Sequence, residues 1–224
     1  MGKWTRRGLI TVGVIGAGAL AVGVAIRPGH RAPKLEPLVA GDDESLITAW
    51  LKIGADNRVT AIVPHAEMGQ GVGTALAQML ADELDADWHL VSALEAPAHE
   101  EYANYALGKG FLLGEAKGIP NVLVDTVDGV FLTLVKAMNL QITGGSASVR
   151  TTGYHAMRVA GAAAREMLIE AAAEAWGVPA GEVTAADSHV SHATSGKRQP
   201  FSDFAIAAAQ QKPSSRPRLK DTSE

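Results

Sequence analysis

Apolar residues recur with two different periods along the chain, and the switches between them mark its elements. Leu46–Ile53 and Arg58–Val63 are short apolar-rich segments parted by Gly54-Ala-Asp-Asn57, the pattern of a β-hairpin. Leu76, Met79, Leu80 and Leu84 then repeat at helical spacing, which predicts a helix from Thr74 to about Leu84 with one buried face. Trp88–Leu94 reads as a strand, Ala96–Gly118 as a long irregular loop, and Asn121–Asn139 as an apolar helix interrupted at Asp128-Gly129. An alanine-rich helix follows from about His155 to Trp176, closed by Gly177 and Pro179. Val183–Ala185 and His189–His192 are short strands before a turn at Thr194–Lys197, and Ser202 is placed to cap a last helix to Gln210. The expected class is α+β: a small antiparallel sheet with packed helices. The tail Lys212–Glu224 has no core pattern.

Ahead of these elements lies an apolar stretch of another kind. Gly8–Ile26 is 19 residues without a charge, near the short limit for a bilayer span. It follows Thr5-Arg-Arg-Gly-Leu-Ile10, and a basic region before an apolar one is the pattern of an export signal. The paired arginines resemble a twin-arginine signal. Residues 1–27 are therefore expected to form a signal or membrane-anchor helix directing the chain to the periplasm. Ala19-Leu-Ala21 offers a cleavage site, whereas Arg27 and Arg31 would flank an uncleaved anchor, and both options stand. Residues 28–44 read as a Pro/Gly-rich linker, 45–211 as the binding domain and 212–224 as the tail.

Charge sharpens this division. Residues 1–34 carry six basic residues and no acid, leaving 14 basic and 24 acidic residues after them, a net of −10. Such a balance argues against a nucleic-acid surface. The chain has no cysteine, so it cannot supply a thiol nucleophile, a disulfide or an iron–sulfur cluster.

The candidate chemistry lies where strand patterns pass into helix patterns through glycine. In Pro64-His-Ala-Glu-Met-Gly-Gln-Gly-Val-Gly-Thr74, three glycines fall within five residues at a helix start. Glycine allows positive φ and close approach to the backbone, and free N–H groups at a helix start attract anions. Thr143-Gly-Gly-Ser-Ala-Ser-Val-Arg150 repeats the device before the alanine-rich helix. Neither loop is a Walker loop, since no Gly-Lys-Ser/Thr follows. Gly16-Ala-Gly18-Ala-Leu-Ala21 matches a dinucleotide fingerprint, yet it runs into a linker instead of a helix and second strand.

Together, Glu67–Thr74 with Ala81–Trp88, then Thr143–Arg150, then Arg158–Leu168 resemble the molybdopterin-binding large subunit of the xanthine dehydrogenase/aldehyde oxidase family, in its isoquinoline 1-oxidoreductase beta-subunit branch. The resemblance covers about residues 45–220. It implies binding of molybdopterin cytosine dinucleotide, with Gly69, Gln70, Gly71, Gly73 and Thr74 on its pterin–pyrophosphate side and Gly144, Gly145, Ser146 and Ser148 as a second cradle. It also implies oxidative hydroxylation of an aldehyde or N-heterocycle, with a 2Fe-2S cluster on a partner subunit. Family members are several times longer. Leu219-Lys-Asp221 corresponds to the phrase that precedes their hammerhead domain, and their catalytic glutamate has no counterpart here. The chain is accordingly expected to be an N-terminal, truncated or split part of the enzyme, without a catalytic residue and inactive alone. A membrane-anchored, non-catalytic binding or assembly module is the alternative.

Other polar residues have plainer expectations. His65 and Glu67 are expected at a subunit interface or in solvent, and Asp82, Glu83, Asp85 and His99-Glu-Glu101 in solvent. Arg150 and Arg158 are expected in helix-surface salt bridges. His189 and His192 stand i, i+3 on a strand, which points them to opposite faces and favours a surface hairpin over a metal pair.

Overall fold

The computed structural model describes residues 32–103, 120–138, 144–214 and 216–221. The apolar stretch Gly8–Ile26, residues 104–118 of the expected loop, and Thr143 lie outside them. Among the described residues no helix is long and apolar enough to cross a membrane. The chain divides into two units, residues 30–102 with 143–224, and residues 1–29 with 103–142.

The first unit holds the glycine loops. Strands β1 (Glu44–Thr48), β2 (Leu51–Gly54) and β3 (Val59–Val63) pair antiparallel in sequence order. The single strand expected over Leu46–Ile53 is broken by a tight turn at Ala49-Trp50, where Trp50 N–H donates to Thr48 Oγ1 at 3.2 Å. Strand β4 (Val91–Glu95) joins β3 in parallel, so the expected all-antiparallel sheet is mixed. The cause is α2 (Val72–Leu84), which carries the chain back along the sheet; a strand–helix–strand crossover returns parallel.

The stretch read as linker contains helix α1 (Ala32–Val39), which buries Leu35 and Val39 with Leu46, Ile62 and Tyr102. Pro33 stands in its first turn, where no N–H is needed. The alanine-rich helix begins earlier than its pattern suggests. Helix α4 opens at Ser146–Ser148, runs as a π-helix through Val149–Arg158 and continues as an α-helix over Val159–Trp176. Leu76, Leu80 and Leu84 of α2 meet Met157, Ala164 and Leu168 of α4 in the main core. Gly161 permits this approach, because a Cβ there would run into the Leu80 carbonyl.

A second sheet, β5 (Val183–Ala186), β6 (His189–His192) and β7 (Lys197–Pro200), is antiparallel. The two histidines take separate partners: His192 meets Ser195 Oγ at 2.8 Å and Glu182 Oε2 at 3.0 Å, and His189 meets the Asp187 carbonyl at 2.7 Å. Helix α5 (Ser202–Ala209) follows. Ser202 is its first residue and not its cap; Asn57 Oδ1 accepts the Ser202 N–H at 3.0 Å.

Several expectations of solvation are overturned. Glu83 is fully buried and paired with Arg158, while Lys220 N–H donates to Glu83 Oε2 at 3.0 Å. Arg165 donates to the Glu83 and Arg218 carbonyls at 2.6 and 2.8 Å, so residues 218–220 of the tail are docked on α2 and α4. Glu101 is also buried, with Lys34 at 3.6 Å. In the second unit, Asp128-Gly129 does not interrupt α3 (Asn121–Ala137).

Candidate functional site

Strand β3 ends at Val63 and α2 begins at Val72, so the first glycine loop must turn the chain within a few residues. Gly69 and Gly71 do this at φ 86° and 76°, where a side chain would be strained. Open space lies where a Cβ would stand at either position. Alternate backbone amides therefore face one point, and Glu67 fills it. Its Oε1 accepts from Gly69 and Gly71 N–H, each at 2.9 Å, and its Oε2 from Gly73 N–H at 3.0 Å. The Gly73 N–H, then those of Gly71 and Gly69, hold the Glu67 carboxyl below the usual carboxylate range. Glu67 thus caps α2 from outside the helix, and its side chain is exposed, the solvent position expected for it. The spacing Glu-x-Gly-x-Gly-x-Gly is the signal in the sequence that could have found it.

Gln70 fixes the loop from the other side. Its Oε1 accepts from Met68 N–H at 2.5 Å, and its Nε2 donates to the Ala66 carbonyl at 2.9 Å and the Gly144 carbonyl at 3.5 Å. The last contact brings the second glycine loop to the first. A second link is His65, buried at the loop entrance, whose Nε2 lies 2.8 Å from Thr152 Oγ1 on the π-helical part of α4. His65 is therefore not in solvent.

Gly69, Gly71, Gly73 and Thr74 line one wall of a groove of about 570 Å³. Glu67, β4, Trp88, Val63, His65 and Ala77 complete its lining. The described residues of the second loop do not line this groove. Gly145 is the N-cap of α4, and no side chain caps that helix start. Gly145 and Ser146 are exposed. Ser148 is fully buried, and its Oγ, close to Gly144, has no hydrogen-bond partner among the described residues. A buried polar atom without a partner costs about 1–3 kcal/mol. Among the described residues no cluster of three or more metal-ligating side chains occurs.

The geometry offers two helix starts, glycine amides and a buried hydroxyl close together. Neutral donors of this kind suit a phosphate or pyrophosphate. The residues fit such a group, with Glu67 as the one element that would have to give way.

No family model matches the chain. It is 29% identical over 217 residues to isoquinoline 1-oxidoreductase subunit beta of Brevundimonas diminuta, covering 96% of this chain and 23% of that protein. It is 31% identical over 200 residues to the membrane-bound aldehyde dehydrogenase [pyrroloquinoline-quinone] of Gluconacetobacter polyoxogenes, covering 89% of this chain and 21% of that one. The chain thus spans less than a quarter of the length of either relative. Quinoline 2-oxidoreductase from Pseudomonas putida 86 aligns with 72% of this chain and 16% of its own, at a TM-score of 0.44 and 17% identity.

Proposed function

We propose that this chain belongs to the molybdenum hydroxylase family of oxidoreductases, that of its relative isoquinoline 1-oxidoreductase subunit beta, and that it contributes part of the cradle for a molybdopterin cytosine dinucleotide. The observation that carries this reading is the joining of two glycine loops, distant in sequence, by the Gln70–Gly144 and His65–Thr152 contacts. In this reading Gly69, Gly71 and Gly73 present amides to the pyrophosphate, and Thr74 stands beside them on the groove wall. Gln70 holds the two loops together. Gly144, Gly145, Ser146 and Ser148 serve the same ligand from the second loop. When bound, the molybdenum group supplies the redox chemistry for hydroxylating an aldehyde or N-heterocycle. None of the residues in the groove is assigned as its catalytic base.

The electron-transfer cluster would come from a partner subunit, because the chain has no cysteine. The arginine pair and apolar stretch support export by a twin-arginine route to the periplasm, with Gly8–Ile26 as signal or anchor.

Cofactor analysis of the chain purified with its partner subunits tests the reading. Oxidised pterin fluorescence and molybdenum in equal amounts are expected. Loss of both in a Gly71→Val/Ser148→Ala variant that still assembles would place them on these loops. A preparation carrying pyrroloquinoline quinone and no molybdenum, the quinone in the name of one relative, would overturn it. Retention of neither group would favour a non-catalytic assembly module.

A further inference from the structure

We propose that α3 (Asn121–Ala137) lies on an anionic lipid surface, with its apolar stripe sunk among the headgroups. The proposal is independent of the cradle reading above. Leu123, Val127, Val130 and Leu134 follow one another at steps of four, three and four residues, which sets them on one face of the helix. Leu123, Val130 and Leu134 are exposed, and Met138, just past the helix end, is exposed in line with them. Phe131, half-buried, widens the stripe. Val135 is turned away from the stripe and is buried, so the helix already has a packed side and the stripe is a separate one. Exposed apolar residues are ordinary when scattered singly; four aligned along one helix mark a contact surface.

Charge and length select what covers it. The unit that contains α3, residues 1–29 with 103–142, carries seven basic and three acidic residues, a net of +4. The other unit carries 13 basic and 21 acidic residues, a net of −8. The surplus comes from Lys3, Arg6, Arg7 and Arg27. The stripe thus belongs to the part of the chain that an anionic bilayer attracts. A helix of 17 residues is about 25 Å long, short of the roughly 30 Å hydrocarbon core. Among the described residues no helix is long and apolar enough to cross a membrane, so α3 would lie in the interfacial plane. A partner helix fits less well. Helix pairs are selected by charged residues flanking the apolar seam, and here the flanks are Thr126 and Thr133 on one edge and Val124 and Phe131 on the other.

The chain has no cysteine, so single labels read this directly. Val130→Cys and Leu134→Cys in the full chain, each carrying the environment-sensitive dye nitrobenzoxadiazole, are mixed with vesicles of phosphatidylethanolamine and phosphatidylglycerol. A blue shift and quenching by spin-labelled lipid are expected at both sites, and a weaker response with neutral phosphatidylcholine vesicles. Ile206→Cys, more exposed still but on α5 of the other unit, is expected to stay in water. Adding Leu123→Ser and Leu134→Ser to the label at Val130 should abolish its shift, because the stripe then loses its two largest exposed side chains within the helix. Were the leader the sole membrane contact, the chain would bind vesicles with both α3 labels still in water, and that result overturns the proposal. Shielding of the labels that rises with protein concentration in the absence of lipid assigns the stripe to a second copy and overturns it too. An equal shift at Ile206, or an equal response to neutral vesicles, does the same. Melting curves of the labelled variants establish that they are folded.

Discussion

Replacing Arg158 with methionine would expose how much the molecule depends on its buried charge. Glu83 is fully buried, and its carboxylate takes Arg158 Nε at 2.6 Å, Arg158 Nη2, and Lys220 N–H at 3.0 Å. Arg158→Met removes two of these three contacts and leaves the carboxylate buried. Removing one partner of a buried pair costs about 3–5 kcal/mol. Arg158 is itself 24% exposed, so water can reach the vacated side and the low end, about 3 kcal/mol, is expected. At 150–250 residues each kcal/mol moves Tm by roughly 2–4 °C, which gives a fall of roughly 6–12 °C. Arg158 Nη2 also donates to the Lys220 carbonyl at 2.9 Å, so residues 216–221 should become sensitive to limited proteolysis. The double variant Glu83→Leu/Arg158→Met should recover most of the loss, because it removes the charge with its partner. Thermal melts by circular dichroism decide the matter. A fall under about 2 °C in the single variant, or a double variant no better than the single, would refute the reasoning.

Gly161→Ala should destabilise the protein by about 1–3 kcal/mol in urea unfolding, although alanine is the better helix former, because its Cβ meets the Leu80 carbonyl across the α2–α4 contact. Ser148→Ala should leave stability unchanged or slightly raised, since it removes a buried hydroxyl that has no partner among the described residues; a loss above about 1 kcal/mol would contradict that environment. Glu67 is held below the ordinary carboxylate value of 4.5 by the Gly73, Gly71 and Gly69 amides. The ordering it gives the loop should be complete above that value and fade as pH falls through its lowered value, and Glu67→Gln should abolish this acid-side change in the glycine amide resonances.

The pattern of apolar positions determined the helix and strand inventory wherever an element buries one face of its own. Leu76, Leu80 and Leu84 mark α2, and the strands around Val190 carry their alternation openly. Glycine spacing fixed where the two loops had to be, because only glycine accepts the φ that Gly69 and Gly71 adopt. Other features depended on residues distant in sequence. Glu83 and Asp85 read as solvated until Arg158, Arg165 and Lys220 arrive from other segments. The tail has no apolar period because charge holds it in place. The parallel pairing of β4 follows from the crossover through α2, which no local pattern encodes. The site divides the same way. Its amides were legible in Gly69, Gly71 and Gly73, whereas the Gln70–Gly144 link spans 74 residues. Glu67 belongs to both: its spacing is local, but its place in the nest depends on two glycines at positive φ turning alternate amides onto one carboxylate.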